Sequence, residues 1–117
     1  MSFLYLASPY SRYKHGIHKA HQAACEATAL LVQAGIPVFS PIAHTHDVAI
    51  YGRLDPLAHT LWMPADRPFM EAAKGMILLT LEGWEESYGV EIEMNYFASA
   101  RKPVYWMAPG QIPEELL

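Results

Sequence analysis

Short, nearly continuous apolar runs alternate along this chain with stretches in which small and apolar residues recur at helical spacing. Phe3-Leu4-Tyr5-Leu6-Ala7 is the first such run, and it stops at Ser8-Pro9. A run of that kind predicts a strand covered on both faces. From about His18 to Ala34, the residues Ala20, Ala23, Ala24, Ala27, Leu30, Leu31 and Ala34 form one helical stripe, and Gly35 suits the position that ends it. Ile36-Pro37-Val38-Phe39 predicts a second strand and completes a strand–helix–strand unit. The stretch Ser40 to Leu54 reads as a polar loop. Asp55-Pro56 reads as the cap and first residue of a helix that breaks at Pro64 and resumes at Asp66, with Pro68 early in the second piece. Met76 to Leu81 is the strongest strand signal. A helix follows from roughly Val90 to Ala100, with Val90, Met94 and Phe97 along one face, and then a strand at Pro103-Val104-Tyr105-Trp106. Pro109, Gly110 and Pro113 leave the tail room for a terminal turn of helix.

This alternation predicts an α/β fold: a three-layer sandwich with a central, mostly parallel sheet of four to five strands. Its crossovers should be right-handed. A length of 117 residues suits a single domain spanning 1–117. It excludes a TIM barrel, which typically needs about 250 residues. Sheets of this class bind ligands just beyond the carboxyl ends of their strands. That rule selects Ser8 to Tyr13, Ser40 to Asp47 and Glu82 to Gly89, the segments that hold most of the unusual polar residues.

Composition changes the picture in a few respects. The hydrophobic fraction of 52% against 17% charged residues argues against disorder and for a homo-oligomer, a dimer or tetramer. Eight basic against twelve acidic residues give a formal charge of −4, so nucleic acid is not an expected partner. A local basic cluster of Arg12, Lys14, His15, His18, Lys19 and His21 remains and could face an anionic ligand. Cys25 is the sole cysteine, which leaves no internal disulfide and no thiolate metal set. Met1 to Ala7 shows no basic leader or cleavage region, and no apolar run approaches the roughly 20 residues of a membrane helix. A cytoplasmic protein without membrane contact is the expectation.

Ala7-Ser8-Pro9-Tyr10-Ser11 carries neither the dinucleotide nor the Walker glycine spacing, so no NAD or ATP cofactor is expected. The Ser8 and Ser11 hydroxyls could hold a phosphate or ribose hydroxyls, or could serve only as turn and capping groups. His44 and His46, with His15, His18 or His21, could assemble a metal site. The His44-x-His46 spacing is weak, no His-Glu-x-x-His pattern exists, and no metal is expected. A substrate contact is the reading for both histidines. Glu93 lies a turn into its helix, beside the apolar stripe of Val90 and Phe97, and is either a solvated shoulder or a functional carboxylate. Glu91 should point elsewhere, into solvent. Gly89 leaves space where a sugar ring could approach. Asp66 is either an N-cap or a second carboxylate reaching the same crevice. Tyr5 is either core or a hydroxyl aimed at the site from the first strand.

Tyr5-Leu6-Ala7-Ser8-Pro9-Tyr10, Gly35 to His44, and Gly83-Trp84-Glu85-Glu86-Ser87-Tyr88-Gly89-Val90-Glu91-Ile92-Glu93 together resemble a small uncharacterised bacterial and phage family, DUF1937-like. That family belongs with the nucleoside 2-deoxyribosyltransferase-like proteins. The segment Ser87-x-Gly89-Val90-x-x-Glu93 also looks like the signature of the 2'-deoxynucleoside 5'-monophosphate N-glycosidases. The resemblance implies a flavodoxin-like sheet and an enzyme that cleaves or exchanges the N-glycosidic bond of a nucleoside or nucleotide. It implies Glu93 as the group attacking the anomeric carbon, and Asp66 as the one assisting the base or positioning the sugar. Tyr5 would orient the nucleophile and Ser87 would contact a 5'-phosphate. Trp84, Tyr88 or Tyr10 could stack on the base. With Ser8, Pro9, Tyr10, Ser40, His44, His46 and Gly89 these complete the expected substrate site. The chain departs from the nucleotide hydrolases in carrying Ser8-Pro9-Tyr10-Ser11 where they have a glycine-containing loop, and Lys74-Gly75 where an aspartate is common. The alternative is a non-catalytic nucleotide or nucleotide-sugar binding module on the same fold.

Overall fold

Leu4–Ala7 (β1) and Gly75–Leu79 (β3) are buried at every position, and these two strands lie side by side at the centre of the sheet. The computed structural model describes residues 2–117. Val38–Phe39 (β2) flanks β1, Val104–Met107 (β4) flanks β3, and every pairing is parallel, giving the order β2-β1-β3-β4. This is the order of a flavodoxin-like sheet. Ile17–Gln33 forms α1, Pro41–Gly52 α2, His59–Ala72 α3 and Tyr88–Ser99 α4. Single 3-10 turns occur at Trp84–Glu86 and Glu114–Leu116.

The two-residue period of the central strands sorts the core into two layers. Leu4, Leu6, Ile77 and Leu79 meet Ala27 and Leu31 of α1 on one face. Tyr5, Ala7, Met76 and Leu78 meet Met70, Ala73, Val90 and Phe97 on the other. Each large apolar side chain removed from water contributes about 1.5–3 kcal/mol. The sheet therefore sits between α1 and the α3–α4 pair, a three-layer sandwich.

The reversal of strand order falls between β1 and β3, and the loops leaving these strands meet there. Gly83, with φ of 92°, makes the approach possible: a Cβ at this position would lie 2.2 Å from the Arg12 carbonyl oxygen. Only glycine fits, both for the left-handed backbone and for the space.

The strands and the helices α1 and α4 fall within a few residues of their expected bounds. The second quarter of the chain does not. Ser40 to Leu54 is not a loop: Ser40 accepts a hydrogen bond from the Ala43 amide at 3.1 Å, Pro41 follows at the first helical position, and α2 runs to Gly52. The helix was hidden in the sequence because one of its buried positions is His46, which interrupts the apolar period. Asp55-Pro56 opens no helix. The Asp55 carboxylate accepts the Leu57 amide at 2.9 Å in a local turn, its carbonyl accepts Trp62 Nε1 at 2.8 Å, and α3 starts at His59. Nor does α3 break at its prolines. Pro64 and Pro68 are both exposed, so the carbonyls they leave unpaired, those of Thr60 and Pro64, can bond water. Burial of Met70 and Ala73 against β1 and β3 offsets the lost bonds, and Lys102 Nζ donates to the terminal carbonyls of Met70 and Glu71 at 3.1 and 2.7 Å.

Candidate functional site

A cleft opens at the carboxyl end of the sheet, where the chain emerging from β1 faces the start of α4 and one side of α3. It is narrow and partly open to solvent. Tyr5, Asp66 and Glu93 come together at its base. Tyr5 is fully buried, and the alternation that puts Leu4 and Leu6 on the α1 layer turns its ring toward α4. Its hydroxyl donates to Glu93 Oε2 at 2.5 Å, across 88 residues of sequence. Glu93 and Asp66, at 6% and 7% exposure, are the only buried carboxylates among the described residues, and both line the cleft. Asp66 lies in the middle of α3, which excludes a capping role for it. Glu91, by contrast, is exposed.

Burial dominates the electrostatics. It pushes the Glu93 carboxyl up to about 8, the negative charge of Asp66 adds to the rise, and the Tyr5 hydroxyl opposes it by favouring the ionised form. Burial pushes Asp66 up to about 6. The Tyr5 phenol is raised far out of its ordinary range by burial, then by the charges of Glu93 and Asp66, so it stays a donor. No lysine or arginine lines the cleft to balance the two carboxylates.

The walls carry hydroxyls and aromatic groups. Ser87 caps α4, its Oγ accepting the Val90 amide at 3.3 Å, which leaves the hydroxyl proton free to point into the cleft. Gly89 also lines the cleft, and no other part of the described residues beyond its own helix turn lies within 4 Å of where its Cβ would be, so a side chain there would occupy ligand space. Ser8 is 5% exposed, lines the cleft, and its Oγ is the one buried side-chain oxygen or nitrogen among the described residues with no hydrogen-bond partner. A buried hydroxyl left unpaired is costly unless a ligand or water completes it. Tyr10 and Ser11 complete this side.

Other expected contacts lie elsewhere. Pro9 is fully buried behind the loop, and Ser40 is occupied as the cap of α2. His44 is exposed, its ring 5.7 Å from that of Phe39. Trp84 packs edge-on against Trp106 at 5.0 Å, outside the cleft. The indole that does line it is Trp62, accompanied by Leu57, His59 and Met63 from the α2–α3 connection and α3. Sequence reasoning did not find these, since nothing local marks an exposed turn and the first turn of a helix as a cleft wall. His46 stands behind Tyr10: it is buried, and the Tyr10 hydroxyl bonds its Nδ1. Burial, then the neighbouring His21 and His18, hold the His46 pKa below its usual value, against an opposing effect of Asp47.

A family profile described as a domain of unknown function, DUF1937, matches residues 2–109. No curated protein matches the chain.

Proposed function

The chain belongs to the DUF1937 family, and from that premise we propose that its cleft cleaves the N-glycosidic bond of a nucleoside or nucleoside 5'-monophosphate, with Glu93 as nucleophile. The observation that carries this reading is the pair of buried carboxylates, with no lysine or arginine among the described residues that line their cleft, one of them held by Tyr5 at 2.5 Å. Such a site is unfavourable when ionised and empty. It is complementary to a positive charge that develops in the cleft, and glycosidic cleavage supplies one as the oxocarbenium-like centre forms. The resemblance of the Ser87-to-Glu93 segment and of the first strand to nucleoside 2-deoxyribosyltransferase-like proteins supports the same assignment.

The ionised Glu93 attacks the anomeric carbon while the carbon–nitrogen bond breaks, and the base leaves with the electron pair and takes up a proton from solvent. The glycosyl ester on Glu93 is then opened by water, or by a second nucleobase, which restores the carboxylate. Tyr5 donates to Oε2 of Glu93 and so fixes the orientation of the carboxylate, leaving Oε1 to attack. Asp66, the second buried carboxylate, assists the departing base or positions the sugar through its hydroxyls. Trp62 offers a face for the base. Ser8, Ser11 and Ser87 hydroxyls hold the 5' end, which, without a lysine or arginine, suits a hydroxyl at least as well as a phosphate.

The test is chromatographic detection of free base from ribo- and deoxynucleosides and their 5'-monophosphates, with and without an acceptor base. Wild type releases base and Glu93→Gln does so at least about 10³-fold more slowly, as expected for loss of a nucleophile. Silence across the panel, with nucleotide binding that survives Glu93→Gln, overturns the enzymatic reading in favour of a binding module.

A further inference from the structure

Outside the catalytic cleft, α1 and α2 bring together imidazoles and a carboxylate that glycosidic chemistry does not use. His18 and His21 are three residues apart on α1 and share one of its faces. His46 and Asp47 come from α2, which packs against that helix. His18 Nδ1 lies 3.2 Å from His46 Nε2, with the two rings at 89°. His21 Nε2 lies 4.0 Å from Asp47 Oδ1, and its ring centroid is 4.2 Å from that of His46. One ligand atom from each of His21, His46 and Asp47 falls within 4.8 Å of the others.

We propose that His21, His46 and Asp47, joined by His18, bind a divalent transition-metal ion of the zinc type. Zinc sits about 2.0–2.1 Å from imidazole nitrogens, and two such ligands at a tetrahedral angle stand about 3.3 Å apart. The 3.2 Å separation of His18 Nδ1 and His46 Nε2 is that spacing. Imidazole nitrogens with one carboxylate select zinc, cobalt or nickel over magnesium and calcium, which prefer oxygen alone. His46 also has the outer partner of a metal-bound histidine: Tyr10 occupies its Nδ1, and an ion would replace the hydrogen bond that its Nε2 now shares with His18 Nδ1. Closing the set requires the His21 ring, now stacked at 18° on His46, to turn about its side-chain bonds. His44 belongs to the same helix but is exposed and lies against Phe39, so it is not a ligand.

The site reaches the cleft through Tyr10. An ion on Nε2 fixes the His46 tautomer with the proton on Nδ1, which then donates to the Tyr10 oxygen. The Tyr10 hydroxyl proton is thereby released to donate to a ligand in the cleft. The metal site rests on the α1–α2 pairing and stands whether or not the glycosidic reading does.

The full chain, stripped with a chelator, is titrated with cobalt(II) by visible absorption and with zinc against a chromophoric chelator. One equivalent binds, with the intense visible bands of a tetrahedral site. His21→Ala and His46→Ala weaken zinc binding by at least about 100-fold, and Tyr10→Phe, as an outer-shell change, by about tenfold. His46 is buried, so His18→Ala and Asp47→Ala, at exposed positions, report on the site with the core intact and also weaken binding. His44→Ala leaves it unchanged. Binding below one equivalent, or binding unaltered in His21→Ala and Asp47→Ala, overturns the proposal.

Discussion

Under the proposed glycosidic reading, Glu93 and Asp66 are the residues at which chemistry and stability conflict. Glu93 titrates at about 8 in the fold against an ordinary 4.5, so the folded protein holds its proton more tightly than the unfolded chain does. The stability this contributes is complete below about pH 4.5 and is lost as pH rises to about 8. Asp66 acts in the same direction between its ordinary 3.8 and about 6. Glu93→Gln, which cannot ionise, should therefore melt higher than wild type at pH 8, with the advantage shrinking toward pH 5. Calorimetry across that range checks this, and a constant or reversed difference contradicts the electrostatic account. Activity runs the other way. The kcat/KM for base release should climb with pH through the Glu93 titration, and Tyr5→Phe should move that limb to higher pH, because the lost hydrogen bond was favouring the ionised form.

At the scale of elements, the cleft depends on how the chain leaves β1 and β3. Gly83 lets the loop after β3 pass against the carbonyl of Arg12, and a methyl group there would both strain a left-handed backbone and collide at 2.2 Å. Gly83→Ala should destabilise by about 1–3 kcal/mol or more in urea unfolding. It should also weaken ligand binding at Ser8 and Ser87, since the two loops that hold them would separate. Unchanged stability would show that the close approach is not needed. The helix α3 is the second element to decide the site. Its two prolines face solvent, and the helix continues through them, so Asp66 stands in the middle of α3 rather than at its cap.

For the whole molecule, α2, α3 and their connection leave large apolar side chains uncovered. Val48, Ile50, Leu54 and Leu61 are 42–44% exposed and Tyr51 is 86% exposed. A dimer or tetramer in solution is the expected outcome of light scattering, with Leu54→Asp shifting it toward the 13.1 kDa species. A wild-type monomer at that mass contradicts it. Among the described residues no helix is long and apolar enough to cross a membrane. The parallel sheet, the helices α1 and α4, and the strand-end location of the polar segments were legible in the sequence, because burial on both faces and helical periodicity are written locally as apolar runs and stripes. Tyr5, Asp66 and Glu93 could be singled out one by one, yet each had a bland reading, as core, as cap, as solvated shoulder. Their meeting depends on the two-residue alternation of β1 and on the crossing of α3 and α4 over the same face. The histidines could be grouped from the sequence as candidates, but which of them meet, with Asp47, was not legible, nor were the helix at Pro41–Gly52 and the Trp62 wall, because they rest on a buried histidine and on contacts between segments distant in sequence. Hydrophobic pattern determined the four strands and the helices α1 and α4. Packing alone determined which polar groups were taken out of water together, and that is what sets their charge and their chemistry.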